Sequence, residues 1–292
     1  MAQYAENPTV YETDLSDEIE LVDSDIIVNM FRDPGSHDAS NYIINMEPSP
    51  TSRRKSVKVF ASKRVYDMLW RRHLYARVDV MDYFHGLFRV NQSTAAAAGW
   101  VFESRVHQLL QQQRNIQLFP VRGSFATKNF NYNCYIASQE RSDAMNLCLS
   151  DSAEVPLTEG CHVEKECYYR PRSTNFPTID SLVLVHPQGE PSPLLLTFQI
   201  TGTRDQHGVN PNGLLKIRNL APGARKLYVV VTPESIHPTI VVPESLLSGG
   251  RQRKLSTIKG VVVDKVEKVV HEGFPVFHYP VRMEELFPPS RA

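Results

Sequence analysis

PTIDSLVLVHPQGEPSPLLLTFQIT, residues 177–201, is the stretch whose reading decides the fold. Two apolar runs, Thr178 to His186 and Leu194 to Thr201, flank PQGEPSP, a segment of turn-forming Pro and Gly. Runs this short and this rich in Leu and Val are strand-sized, so the stretch predicts a β-hairpin. Downstream, NGLLKIRNL predicts a short amphipathic helix, and KLYVVVTP predicts a buried strand. The tail from Ser256, with GVVVDKVEKVV and a Pro-rich close, predicts a peripheral strand or helix.

Working upstream, Ile116 to Val121, Asn131 to Ile136 and Glu164 to Arg170 alternate as strands do, with room between them for two small helical pieces. Before these, AAAAGWVFESRVHQLL is built of strong helix formers. Phe102, Val106, Leu109 and Leu110 fall on one stripe, and Ser93 or Thr94 can cap the start. Two further helices are predicted from RVYDMLWRRHLYARVDVMDYFHGLF, with Val65, Met68, Leu69 and Tyr75, then Val78, Met81 and Phe84, facing inward.

The formal net charge is zero, from 32 basic and 32 acidic residues, but the charges are segregated. Residues 1–50 hold eleven acids and the single base Arg32, a balance of −10, whereas residues 51–128 hold fourteen bases and four acids, a balance of +10. This asymmetry points toward nucleic acid or self-masking. Residues 1–56 read as an acidic, largely disordered arm with one short strand at Asp25 to Met30. Residues 57–292 read as one α/β domain: a helical part at 57–114, a core sheet at 115–243 and a C-terminal extension at 244–292.

Other classes are excluded. No apolar run approaches the roughly 18 residues of a membrane helix, so no membrane partner is expected. The opening MAQYAENPTVYETD lacks the basic stretch and apolar core of a secretory signal peptide, and an intracellular protein, nuclear or cytoplasmic, is expected. Cys134, Cys148, Cys161 and Cys167 fit reduced thiols. His162 between Cys161 and Cys167 lacks the paired spacing of a zinc site.

Within this order of elements, Glu103 lies in the Ala-rich helix, Asp180 opens the first hairpin strand, and Gln199 and Thr201 close the second. Period-two geometry puts Gln199 and Thr201 on one face, and an adjacent strand can bring Asp180 beside them. Two carboxylates and an amide oxygen form a hard oxygen set of the kind that suits Mg²⁺, with Mn²⁺ as a substitute. The bland alternatives are an exposed helix acid for Glu103, a turn or capping role for Asp180, and ordinary strand-surface positions for Gln199 and Thr201.

PTID at 177–180, QIT at 199–201 and the upstream Glu103 together resemble a degenerate form of the PD-(D/E)XK arrangement of restriction-endonuclease-like nucleases. More narrowly, AAGWVFESRVHQLL, YYRPRSTNFPTIDSLVL, LTFQITGTRDQHGVNPNGLLKI and KLYVVVTP resemble the nuclease-like domain of Crinkler-type and retrotransposon-hot-spot-type proteins, over about Val57 to Pro243. The resemblance implies a mixed central sheet flanked by helices and a metal-dependent hydrolysis of DNA. It assigns the helix acid to Glu103, the first motif acid to Asp180, the second acid's position to Gln199 and the Lys position to Thr201. Gln is a weaker metal ligand than a carboxylate, and Thr supplies no cation. His207, as a general base or water-orienting group, and Lys216, as the missing positive charge, are the nearest replacements; His207 is equally readable as a loop hydrogen-bonder. If the site is eroded, the same fold serves as a DNA-binding or protein-interaction module.

Arg53, Arg54, Lys55, Lys58, Lys63, Arg64, Arg71, Arg72 and Arg77, interleaved with Tyr66, Trp70 and Tyr75, form the expected DNA surface, against the alternative of a solvated helix face. SRRK at 52–55 also fits a weak nuclear-import patch. A homodimer, and a host-protein target for an effector, are further partners compatible with this reading. The acidic arm becomes a candidate internal competitor for the basic surface, and on that expectation deleting residues 1–50 tightens DNA binding at low salt.

Overall fold

The computed structural model describes residues 24–32, 43–49, 52–90, 94–126, 132–137, 144–158, 161–171, 179–187, 189–202, 207–208, 216–217, 220–236, 239–243, 252–258, 261–267 and 275–288. It is a mixed α/β structure in two compact units, one comprising Met1–Arg105 with Met283–Ala292 and the other Val106–Arg282. The sequence reading put its boundary at 56/57 instead.

The first unit contains α1 (Ser24–Arg32), β1 (Ile44–Ser49), β2 (Ser52–Phe60), α2 (Lys63–Leu69), a π-helical turn (Trp70–Leu74), α3 (Val78–Arg89), the start of α4 (Ala95–Leu110) and α5 (Met283–Leu286). Two expectations about the arm are corrected here. The segment at 25–30 is a helix and not a strand, because Ile27, Val28 and Phe31 are spaced to bury one helical stripe. Nor are residues 24–32 and 44–49 a disordered tail: β1 pairs antiparallel with β2, Ile43 and Ile44 are buried, and Lys58 donates to the Met30 carbonyl at 2.6 Å. The remainder of the arm, 1–23 and 33–42, lies outside the described residues.

Phe31, with Ile27 and Val28, holds α1 on this unit. Its ring lies 4.9 Å from Phe60, 4.9 Å from Phe84 and 5.6 Å from Phe88, centroid to centroid, mostly edge to face. Aromatic packing of this geometry adds to the large apolar area that each ring removes from water. By contrast Asp25, which pairs with Arg77 at 3.1 Å, is three-quarters exposed, and such pairs contribute little.

In α2 the Ser62 hydroxyl caps the helix by accepting the Val65 N–H at 3.2 Å. The chain then widens into the π turn, where Tyr75 N–H bonds to Trp70 O at 2.9 Å, five residues back. This extra residue carries Leu74 inward after Leu69 and turns Tyr75 out, which overturns the expected burial of Tyr75. Thr94, expected as a cap, donates its hydroxyl to Phe88 O.

The second unit is built on an eleven-stranded sheet with β3 (Arg114–Ala126), β4 (Tyr132–Ala137), β5 (Met145–Leu149), β6 (Ala153–Leu157), β7 (Cys167–Pro171), β8 (Ser181–Val185), β9 (Leu194–Ile200), β10 (His207–Gly208), β11 (Arg225–Pro233), β12 (Thr239–Pro243) and β15 (Val276–Val281). Its order is β10-β12-β4-β3-β15-β11-β9-β8-β7-β6, with β5 also on β3. β13 (Gln252–Ile258) and β14 (Val261–Glu267) pair separately. The hairpin is present: β8 and β9 are antiparallel, and Gly189 in the turn has φ +83°, a conformation that glycine adopts without a Cβ clash. Between β4 and β7 the described residues hold two strands, β5 and β6, and no helix where helical pieces were expected.

The larger correction concerns the C-terminal extension. VFHYPV forms β15, which inserts between β3 and β11 as a buried central strand, parallel to β11 and antiparallel to β3. β9, β11 and β15 thus form a parallel core that ends in the same direction. The sheet also curls. Five strands separate β10 from β9 in the order, yet only four residues, five Cα–Cα steps, join Gly202 to His207, about 18 Å fully extended, which is less than the roughly 29 Å that six flat strand spacings would need.

The expected outcome of Phe31→Ala is a loss of about 3–5 kcal/mol in the stability of the first unit, against less than about 1 kcal/mol for Asp25→Ala. Denaturant unfolding of the two variants checks this; equal effects would contradict the assignment of α1's docking to Phe31.

Candidate functional site

Strand pairing builds the site in the second unit. The antiparallel register of β8 and β9 begins with Ser181 opposite Phe198, so Asp180 stands just outside the ladder, at the end of β9 that carries Gln199. Asp180 is tied into the strand end twice. Its N–H donates to Phe198 O at 2.8 Å, and its Oδ2 accepts the Ile200 N–H at 2.6 Å. Thr201 prolongs the same edge, donating its N–H to Val231 O at 2.9 Å.

The next strand supplies a residue that sequence reasoning did not single out. Tyr228 on β11 is fully buried, and its hydroxyl donates to Gln199 Oε1. Burial, and secondarily the negative charge of Asp180, push the Tyr228 phenol well above its ordinary value, so it remains a donor. The register continues the row: Gln199 pairs with Val230, and Val230 pairs with His278 on β15. His278 Nε2 lies 2.9 Å from Thr232 Oγ1. The signal for Tyr228 was a hydroxyl inside the apolar run KLYVVVTP, where a buried polar group needs a partner.

Leu182, Leu195, Tyr228 and Val230 pack with Ile217, Ala221 and Ala224, so the chain around residue 217 covers this face. Lys216 sits beside Ile217 in helical backbone but is itself exposed. His207 is on β10, an edge strand, paired in parallel register with Ile240. Of the sequence-predicted residues, the fold therefore brings Asp180, Gln199 and the backbone of Thr201 together at the carboxyl end of β9, where open α/β sheets hold ligands. Glu103 belongs to the first unit. Both of its carboxylate oxygens accept from Lys63 Nζ, at 2.8 and 2.7 Å, on a half-buried pair. Among the described residues no group of three or more His, Cys, Asp or Glu side chains is arranged to hold a metal ion.

The opposite face of the sheet holds a second buried polar chain. His107 Nδ1 is 2.7 Å from Tyr168 Oη, which donates to Ser181 Oγ at 2.6 Å. All three are buried and serve the packing of the last turn of α4 in this unit.

The basic residues differ in burial and in the contacts they make. Lys58 is bonded to Met30 O and Lys63 to Glu103, while Arg77 pairs with Asp79 and Asp25. These two carboxylates raise the Arg77 guanidinium, and Arg77 in turn lowers Asp79. Arg64, Arg71 and Arg72 are exposed. Arg53, Arg54 and Lys55 lie on β2, with side chains outside the described ones. Cys148 is an exposed free thiol, and Cys161 and Cys167 are free and half-buried against the core.

Comparison of the chain with family models, with curated proteins and with solved structures gives no match in any of the three.

The buried phenols set an alkaline limit. Burial raises both Tyr168 and Tyr228 above the roughly pH 10 of an unfolded tyrosine, so their contribution to stability is complete below about pH 10 and declines as pH rises beyond it. Denaturant unfolding at pH 8 and pH 11, with phenolate absorbance followed in the folded protein, checks this. Titration of every tyrosine near pH 10 without unfolding is the contrary result.

Proposed function

We propose that this chain is a Crinkler-type nuclease-like protein, with a restriction-endonuclease-like sheet in its second unit, that hydrolyses DNA phosphodiester bonds with Mg²⁺ held at Asp180 and Gln199. The observation that supports the reading is that Asp180, through the bond of its Oδ2 to the Ile200 N–H, lies at the carboxyl end of β9, where Gln199 also stands. The donor set fits the ion chemically: one carboxylate and one amide oxygen are hard ligands, and Mg²⁺ accepts one or two carboxylates while keeping several waters. When bound, the cation supplies Lewis-acid polarisation of a phosphoryl oxygen and a more acidic water.

The chain's own groups have narrower tasks. Asp180 brings the negative charge and is oriented by the Ile200 N–H. Tyr228 fixes the amide plane of Gln199 through Oε1. Thr201 stands where a cation is usual in this resemblance, and Lys216, exposed one residue before the buried Ile217, is the nearest replacement on the same side of the sheet. His207 remains the proposed water-orienting group.

A second reading, an eroded nuclease fold that binds DNA or protein without cleaving, is favoured by one set of observations. Asp180 Oδ2, Gln199 Oε1 and both Glu103 oxygens already accept hydrogen bonds from Ile200, Tyr228 and Lys63. In that case these groups hold the fold together.

Plasmid DNA incubated with the full chain and Mg²⁺ separates the two. The hydrolase reading predicts cleavage that falls at least about 100-fold in Asp180→Asn, which keeps an acceptor for the Ile200 N–H while removing the charge. Absence of metal-dependent cleavage, with calorimetry showing no Mn²⁺ binding that the substitution abolishes, selects the eroded module.

A further inference from the structure

His107, Tyr168 and Ser181 are buried polar side chains that take no part in the proposed hydrolysis. Tyr168 lies opposite Val183 in the antiparallel β7–β8 register, and Ser181, two residues earlier on β8, shares the face of Val183. The Tyr168 phenol reaches along the diagonal to Ser181 Oγ at 2.6 Å, a span within reach of an aromatic side chain. A tyrosine hydroxyl carries one proton, and here it goes to Ser181, so the 2.7 Å contact with His107 is a bond that Nδ1–H donates to Oη. The imidazole also meets the phenol ring edge to face, at a centroid distance of 5.8 Å and an angle of 73°. The last turn of α4 is thereby joined to the first residue of β8.

The residue just before Ser181 is Asp180. It stands outside the ladder and is bound to β9 twice, its N–H donating to Phe198 O at 2.8 Å and its Oδ2 accepting from the Ile200 N–H at 2.6 Å. On the other side of β8, the register with β7 pairs Tyr168 with Val183 and Tyr169 with Leu182, and among the described residues it stops one short of Ser181. At that point the Tyr168–Ser181 bond takes over from the ladder. Burial raises the Tyr168 phenol, and the charges of Glu154 and Asp180 add to this against Ser181 and Arg170. Asp180 is therefore within electrostatic range of Tyr168 as well as of Tyr228 on the opposite face. A buried polar chain adds little net stability over an apolar equivalent, but it holds its members to one geometry.

We propose that His107, Tyr168 and Ser181 form a positioning chain for Asp180: the imidazole orients the phenol, the phenol pins Ser181, and the pinned start of β8 aims the Asp180 carboxylate at the end of β9. Tyr168 is a positioning residue and touches neither metal nor DNA. Groups behind a metal ligand set its orientation, and their loss weakens metal binding about 10–100-fold. The proposal rests on the reading of Asp180 as a Mg²⁺ ligand, but its first link, the placing of the carboxylate against the Ile200 N–H, is measurable in the metal-free chain.

Two measurements on the full chain test it, in the parent, Tyr168→Phe, Ser181→Ala and the double variant. Val185→Ala, at the buried far end of β8, is the control for lost stability. The first measurement is amide hydrogen exchange without metal. The expected result is exchange at Ile200 about tenfold faster in each single variant, with Val183 to Val185 changed less than about twofold and the double variant no faster than either single. His107→Leu shifts Ile200 in the same direction. The second is calorimetry with Mn²⁺, in which Tyr168→Phe binds about tenfold more weakly and Val185→Ala stays within about twofold of the parent. An Ile200 amide exchanging at the parent rate overturns the positioning chain, as does equal weakening of Mn²⁺ binding by Val185→Ala. A uniform rise in exchange along β8 and β9 shows a purely structural role and overturns it too. If the parent binds no Mn²⁺, the hydrolase reading falls, and the Ile200 exchange alone then decides whether Tyr168 positions Asp180.

Discussion

Strand β9 is buried on nearly its whole length, and the second unit is organised by the need to satisfy the polar groups that this burial encloses. Leu194, Leu195, Leu196, Phe198 and Ile200 supply the apolar surface on its two faces. Thr197 then has to spend its hydroxyl on Leu227 O at 3.0 Å, and Gln199 has to find Tyr228. The Ile200 N–H finds Asp180 where regular β8 pairing begins. A buried polar group left without such a partner costs about 1–3 kcal/mol, comparable with a sizeable share of a domain's stability. The residues that suggest chemistry are therefore also the ones that close the strand's hydrogen-bond accounts, and any activity at Asp180 and Gln199 must work within that constraint.

The first unit meets a different requirement. Its sequence is strongly charged, yet its cohesion comes from the rings of Phe31, Phe60, Phe84 and Phe88. The acidic arm and the basic block meet in the Asp25–Arg77 pair, but that contact is solvent-exposed, whereas Phe31 is buried. A deletion through residue 50 therefore removes core side chains together with charge, so its effect on DNA affinity would not report on the arm's charge alone. The zero net charge is a cancellation along the sequence between an acidic stretch and a basic block, and of the acidic stretch the described residues 24–32 pack through Phe31 on Phe60, Phe84 and Phe88.

The sequence made the hairpin, helices α2 to α4 and strand β11 legible because their apolar periods are long and their turn chemistry agrees with them. It concealed β15 because VFHYPV is short and carries His278 and Pro280, residues that read as a loop until β11 and β3 are seen to flank it. It concealed α1 because DIIVNM has the composition of a strand, and only Phe31 beyond it completes a helical stripe. Tyr75 was misplaced because a period of 3.6 cannot anticipate a π turn. The candidate site was partly legible: the alternation of β9 and the hairpin register put Asp180 near Gln199, whereas Tyr228 required knowing that β11 lies parallel beside β9.

The proposed function makes Asp180 and Gln199 one ligand-binding end of β9. Amide-resolved NMR of the full chain during a Mg²⁺ titration addresses it most directly. The expected result is that the Ile200 backbone amide and the Gln199 side-chain amide shift together along one saturable curve, and that Asp180→Asn abolishes both shifts while leaving the β8–β9 resonances in place. Shifts confined to other acidic residues, or an Ile200 amide unmoved at saturating Mg²⁺, would contradict it.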